Sequence, residues 1–251
     1  MVSNLELLRT PQSVRERLIL ALDVDGLDKV KALVRELVDH VGMFKVGKQL
    51  FTHAGPAVVR MIQEMGGEIF LDLKFHDIPN TVAKAAVEAT RMGVKMFNVH
   101  ASGSLEMMRC TVKEVRQVCR RESLRYPTML AVTVLTSLSQ KDLERVGVFG
   151  GVADQVVRLA LLSREAGMDG VVASPQEVAD IRAACGRRFV IVCPGIRPHK
   201  GKFDDQKRVM TPREAIRAGA DYIVVGRSVL EAKDAVTAAR QILTEMSSAL
   251  S

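Results

Sequence analysis

Asp72, Lys74 and Asp77 stand two and three residues apart in Glu68-Ile69-Phe70-Leu71-Asp72-Leu73-Lys74-Phe75-His76-Asp77-Ile78-Pro79-Asn80-Thr81. The apolar run before Asp72 reads as a buried strand, and residues two apart on a strand point the same way, roughly 7 Å along the chain. A carboxylate and an ammonium therefore share one face at a strand end, with a second carboxylate just beyond. Burying several charges together costs several kcal/mol per ion unless they pair with one another. Stability seldom asks for that arrangement. The pattern therefore points to catalysis.

Such groups need a scaffold that brings strand ends together. Eight apolar, strand-like runs occupy 18–24, 43–46, 68–73, 95–99, 128–135, 170–173, 189–193 and 222–225. Amphipathic helical patterns alternate with them at 28–40, 56–65, 81–92, 105–121, 152–166, 176–184, 212–218 and 229–245. Eight strand–helix units predict a single-domain α/β (β/α)8 TIM barrel over residues 17–248, preceded by an N-terminal extension over 1–16. A doubly wound sheet is the rival, but the first turn, Asp23-Val24-Asp25-Gly26, has no glycine-rich fingerprint.

In a barrel the active site lies at the C-terminal ends of the strands. Those ends present Asp23, then Lys45 and Lys48, then Asp72 and Lys74, then Asn98 and His100, then Thr136 and Ser137. The seventh ends in Pro194-Gly195-Ile196-Arg197-Pro198 and the eighth in Gly226-Arg227-Ser228. Strand, Gly-Arg, then helix places backbone N–H groups beside a guanidinium fork, which suits a phosphate. Arg197 and Gln206 in the loop after strand 7 extend that grip.

Lysine and arginine number 36 against 29 aspartates and glutamates, a net charge of +7 that would suit a polyanion. With two Tyr, no Trp and no nucleic-acid motif, stacking recognition of single strands is not favoured. The basic stretch 109–125 reads as the solvated face of an amphipathic helix. No apolar run approaches membrane-spanning length, and residues 1–16 lack the order of a secretion signal, so a cytoplasmic location is expected. Cys110, Cys119, Cys185 and Cys193 show no C-x-x-C spacing and read as free thiols.

At these residues the chain resembles the orotidine 5′-monophosphate decarboxylase family, bacterial type, which closes de novo UMP synthesis. The resemblance runs from Leu18-Ile19-Leu20-Ala21-Leu22-Asp23 through Phe44-Lys45-Val46-Gly47, the long third-strand motif and Pro194-Gly195-Ile196-Arg197 to Gly226-Arg227. It implies a charge array of Lys45, Asp72, Lys74 and Asp77, with Lys74 as proton donor to C6 and Asp77 supplied by the other subunit of a homodimer. It further implies substrate contacts from Asp23, Lys45, Asp72, Ile78, Thr81, Thr136, Pro194, Arg197, Gln206, Gly226 and Arg227, with Thr81 also crossing the interface. His76 and His100 fit the pattern as structural groups. No metal, no cofactor, no nucleic acid and no membrane are implied.

Phosphosugar enzymes of the same barrel group, such as 3-keto-gulonate-6-phosphate decarboxylase and hexulose-phosphate synthase, share Asp-x-Lys-x-x-Asp but use magnesium. Their pattern has a carboxylate ligand at the end of strand 2, where this chain has Lys45; a cation there repels the metal. A polyanion-binding protein is the remaining alternative, and it leaves Asp23, Asp72 and Asp77 without a purpose.

Overall fold

The structure, a computed structural model, describes residues 11, 13–198 and 210–250. Eight parallel strands pair in chain order and close on themselves: β1 (Leu18–Ala21), β2 (Met43–Gly47), β3 (Ile69–Phe75), β4 (Met96–His100), β5 (Thr128–Val132), β6 (Gly170–Val172), β7 (Val190–Cys193) and β8 (Tyr222–Val225). The expected barrel is present. Around it run α1 (Leu27–Leu37), α2 (Lys48–Ala54), α3 (Pro56–Glu64), α4 (Pro79–Arg91), α5 (Leu105–Glu122), α6 (Gln140–Arg145), α7 (Val152–Glu165), α8 (Val178–Cys185), α9 (Pro212–Ala218), α10 (Arg227–Leu230) and α11 (Ala235–Ser247).

Strands buried on both faces explain why the runs read as continuously apolar. Alternate residues divide between two cores. Ile19, Ala21, Met43, Phe70, Met96, Leu130, Val132, Val172, Val190, Val192, Tyr222 and Val224 fill the barrel interior. Their neighbours, such as Leu18, Leu20, Phe44, Leu71 and Phe97, pack outward against the helices.

The N-terminal rim of the barrel is fastened by side chains. Asp169, just before β6, accepts the N–H of Met129 at 2.8 Å, and Asp221, just before β8, accepts that of Ile191 at 2.8 Å. Arg182 of α8 donates to Asp221 Oδ2 at 2.9 Å and to the carbonyls of Gly186, Arg187, Phe189 and Gly219. At Gly170 any Cβ would collide with the Val190 carbonyl oxygen, so only glycine lets β6 and β7 pair there.

Several elements depart from the sequence reading. The 229–245 segment is two helices, because Asp234 caps α11 through the N–H of Thr237 at 2.9 Å. Helices α2 and α6 were not anticipated. The first ends at Gly55, whose φ of +57° turns the chain into α3, and the second starts at a Ser139/Asp142 capping box. Strand β5 stops at Val132 rather than 135. The N-terminal extension falls largely outside the described residues.

One irregularity bears on function. From Leu71↔Phe97 to Phe75↔Val99 the register advances four residues on β3 but two on β4. Two extra β3 residues are thus accommodated in a bulge, and within it Lys74 has φ +51°.

Candidate active site

The alternation that fills the barrel also builds the site. Ala21, Met43, Phe70 and Met96 point inward, so Asp23, Lys45, Asp72 and Asn98, two residues farther on, set a polar layer above the apolar one. Lys45 Nζ lies 3.3 Å from Asp23 Oδ1 and 3.3 Å from Asp72 Oδ2, and Lys74 Nζ lies 2.7 Å from Asp72 Oδ1. Asn98 Nδ2 donates to the same Asp72 oxygen at 2.7 Å. Asp72 and Lys74 meet as the sequence spacing predicts, but across a bulge rather than along a regular strand.

Asp72 is only 8% exposed. Burial acts most strongly on its carboxyl and pushes its pKa up, yet the charges of Lys45 and Lys74 and the hydrogen bonds from Lys74 and Asn98 together outweigh it. The net effect holds Asp72 below the usual carboxylate range, so it is ionised at neutral pH. An ammonium already occupies the space between the Asp23 and Asp72 carboxylates. Among the described residues no cluster of three or more His, Cys, Asp or Glu side chains could hold a metal ion.

His76 and His100 sit with ring centroids 5.3 Å apart at the edge of this array. Burial, followed by electrostatic interaction with His76, Lys48 and Lys74, lowers the His100 pKa to about 4, Asp72 pulling the other way. His100 is therefore a neutral imidazole at physiological pH, in keeping with a structural role.

A cavity of about 530 Å³ opens above the array, large enough for a nucleotide. Asp23, Lys45, Asp72, Lys74, Thr136, Pro194, Arg197, Gly226 and Arg227 all line it. Val132, Val134, Leu135, Val172 and Ala173 give it an apolar wall on the β5–β6 side, a group the sequence reading did not name. On the far side the Gly226-Arg227-Ser228 turn follows β8, and Ile196 bridges Met210 while Arg197 N–H donates to the Met210 carbonyl at 3.0 Å. These contacts fix the feet of the loop that carries Gln206, which itself lies outside the described residues.

Asp77, Ile78 and Thr81 do not line this cavity. They sit on the surface at the start of α4, Ile78 66% exposed and Asp77 accepting the N–H of Ile78 at 2.6 Å. No described helix is long and apolar enough to cross a membrane, and Cys119, Cys185 and Cys193 are buried free thiols.

The model of the orotidine 5′-phosphate decarboxylase / HUMPS family matches residues 16–242. The chain belongs to this family. It is 56% identical over 236 residues to the orotidine 5′-phosphate decarboxylase of Syntrophotalea carbinolica, covering 94% of this chain and 97% of that one. Against the protein of the same name from Geotalea uraniireducens it is 55% identical over 237 residues, covering 94% and 98%. Among solved structures, orotidine 5′-phosphate decarboxylase from Lactobacillus acidophilus superposes with a TM-score of 0.81 at 35% identity, covering 91% of this chain and 98% of that one. The enzyme of that name from Pyrococcus horikoshii gives a TM-score of 0.71 at 27% identity over 92% and 99%.

Proposed function

We infer that the chain decarboxylates orotidine 5′-monophosphate to UMP and CO2, the activity for which its relatives are named and the last step of de novo UMP synthesis. The observation that carries this reading is the Lys45–Asp72–Lys74 array set beneath a nucleotide-sized cavity. The bond from ring carbon C6 to the carboxylate breaks, CO2 departs, and the electron pair stays on C6. Lys74 stabilises that developing charge and transfers its proton to C6, then regains one from solvent. No cofactor serves as an electron sink, so the charge array carries the load.

Asp72 lies where the substrate carboxylate would approach, and repulsion there is relieved as CO2 leaves. Both Asp72 oxygens are already held by ammonium and amide donors, so it cannot rotate away cheaply. Arg197, Gln206, Gly226 and Arg227 take the phosphate, while Asp23 takes the ribose and Lys45 belongs to the charge array. Thr136 reads the pyrimidine amide edge beside Pro194. Binding energy from the phosphate, remote from C6, is then available to lower the barrier.

The surface position of Asp77, Ile78 and Thr81 supports a homodimer in which each subunit completes its neighbour's site, Asp77 extending the array and Thr81 reaching the ribose. The test is the ultraviolet absorbance of orotidine 5′-monophosphate with purified protein, with and without EDTA. Conversion to UMP unaffected by EDTA is expected. Failure of folded protein to convert it refutes the reading, and EDTA-sensitive conversion moves the chain to a metal-dependent chemistry.

A further inference from the structure

Asn98 holds together the array in which it has no charged part. It is fully buried, facing the barrel interior from β4 two residues after Met96. Its Oδ1 accepts the backbone N–H of Lys74 at 2.8 Å, and its Nδ2 donates to Asp72 Oδ1 at 2.7 Å. The orientation of the amide is forced, because a backbone N–H only donates and an ionised carboxylate only accepts.

The register explains why a side chain is needed. Asn98 is the single β4 residue facing the widened stretch of β3 between Leu71 and Phe75. Within that stretch the Asn98 amide supplies the acceptor for Lys74, whose φ of +51° persists only where its surroundings over-determine it. We infer that Asn98 is a positioning residue for the decarboxylation: it locks the left-handed backbone of Lys74 that aims the ammonium, and it fixes the Asp72 carboxylate against that ammonium. This rests on the decarboxylase reading given above.

No other side chain of that size does both. Leucine offers neither hydrogen bond. Aspartate keeps an acceptor for the Lys74 N–H but sets a second carboxylate at hydrogen-bond distance from Asp72. The charged and titratable groups around Asp72 are Lys45 on β2, which also meets Asp23 beyond β1, Lys74 on its own strand, and His100 farther along β4. A new acid at position 98 therefore shares a proton with Asp72 rather than with a distant group.

The experiment compares parent, Asn98→Asp and Asn98→Ala by melting temperature, by kcat and KM for orotidine 5′-monophosphate across pH, and by carbon-13 NMR titration of labelled aspartate carboxyls. Asn98→Asp is expected to raise the pH at which the Asp72 site takes up a proton by about one unit or more, with the acid limb of kcat moving the same way. Asn98→Ala is expected to lower kcat by about 100-fold, the scale for a reacting group displaced by about 1 Å. KM should change much less, because the phosphate grip on β7 and β8 lies across the barrel. A merely structural asparagine would lower the melting temperature and leave kcat per folded molecule, read on the alkaline plateau of the pH profile, in place. That result in a folded Asn98→Asp protein overturns the inference, whether or not the alanine variant folds. If the parent itself fails to convert the substrate, the decarboxylase reading falls, and the carboxyl titration still decides whether Asn98 governs Asp72.

Discussion

Replacing Lys74 by alanine removes one cation and nothing else from the floor of the cavity. Its Nζ lies 2.7 Å from Asp72 Oδ1, and a unit charge at that separation in an effective dielectric of 20 is worth about 6 kcal/mol. A carbanion formed at C6 in place of that contact would draw on an interaction of similar size. At 1.36 kcal/mol per decade this corresponds to about four decades of rate. Loss of the proposed proton donor would account for about two to four decades by general-acid precedent, overlapping with the same figure rather than adding to it.

Folding should survive the change. Asp72 keeps Lys45 at 3.3 Å and Asn98 at 2.7 Å, so the loss should stay below the about 3–5 kcal/mol that stranding a buried charge costs. The assay is the ultraviolet absorbance change of orotidine 5′-monophosphate at high enzyme concentration, alongside thermal melting of the same preparation. Folded Lys74→Ala protein should turn over at least about 10⁴-fold more slowly than the parent. Residual turnover within about 100-fold would refute both the proton-donor role and the electrostatic arithmetic.

Three other outcomes follow from the same geometry. Arg227→Ala should raise KM by about 100-fold or more, the scale of a lost charge-assisted phosphate contact of about 3 kcal/mol; an unchanged KM in steady-state kinetics would exclude the contact. Lys74→Ala and Asp77→Ala proteins, each inactive alone, should recover about a quarter of parental activity after subunit exchange in equal amounts, since half the dimers are hybrids with one intact site. No recovery under exchange demonstrated by mass-tagged subunits would argue against a shared site. Lys45→Met should lose stability in a pH-dependent way. The Asp72 pKa is lowered on folding, so its contribution is present above the ordinary carboxylate value and fades as pH falls through the folded one. The gap in urea stability between parent and variant should therefore be widest near neutrality and shrink below pH about 4; a gap constant across that window would contradict the assignment.

Much of the fold could be read from local pattern because each unit is locally consistent. Strand β8 and helix α9 lie where the sequence places them, the first as a bounded apolar run and the second behind a Thr211/Glu214 capping box with Pro212 at its start. The 229–245 pattern misled because its apolar period continues across Asp234, whose capping role depends on a single side-chain hydrogen bond. Short helices such as α2 and α6 span too few turns to show a period, although the capping box at Ser139 was a usable signal.

The site divides along similar lines. Residues two positions beyond an inward-facing apolar side chain were legible as a convergent polar layer. Asn98 was noted only as a strand-end polar group. Its role depends on a register shift between two strands that no single-strand pattern contains. The one available clue was an amide enclosed by Met96, Phe97 and Val99, since a buried amide must find partners.

The two rims of the barrel make opposite demands on the chain. The C-terminal rim tolerates a left-handed lysine, a bulge and a cluster of two acidic and two basic side chains, while the N-terminal rim carries the Asp169, Arg182 and Asp221 fastenings described above. On this division, heat tolerance is expected to answer to residues about a strand length from those proposed to carry turnover. A lineage moving to a hotter habitat, or an engineer with the same aim, has the N-terminal rim in which to add fastenings around Gly170 and the Asp169, Arg182 and Asp221 contacts, while the other end stays as it is.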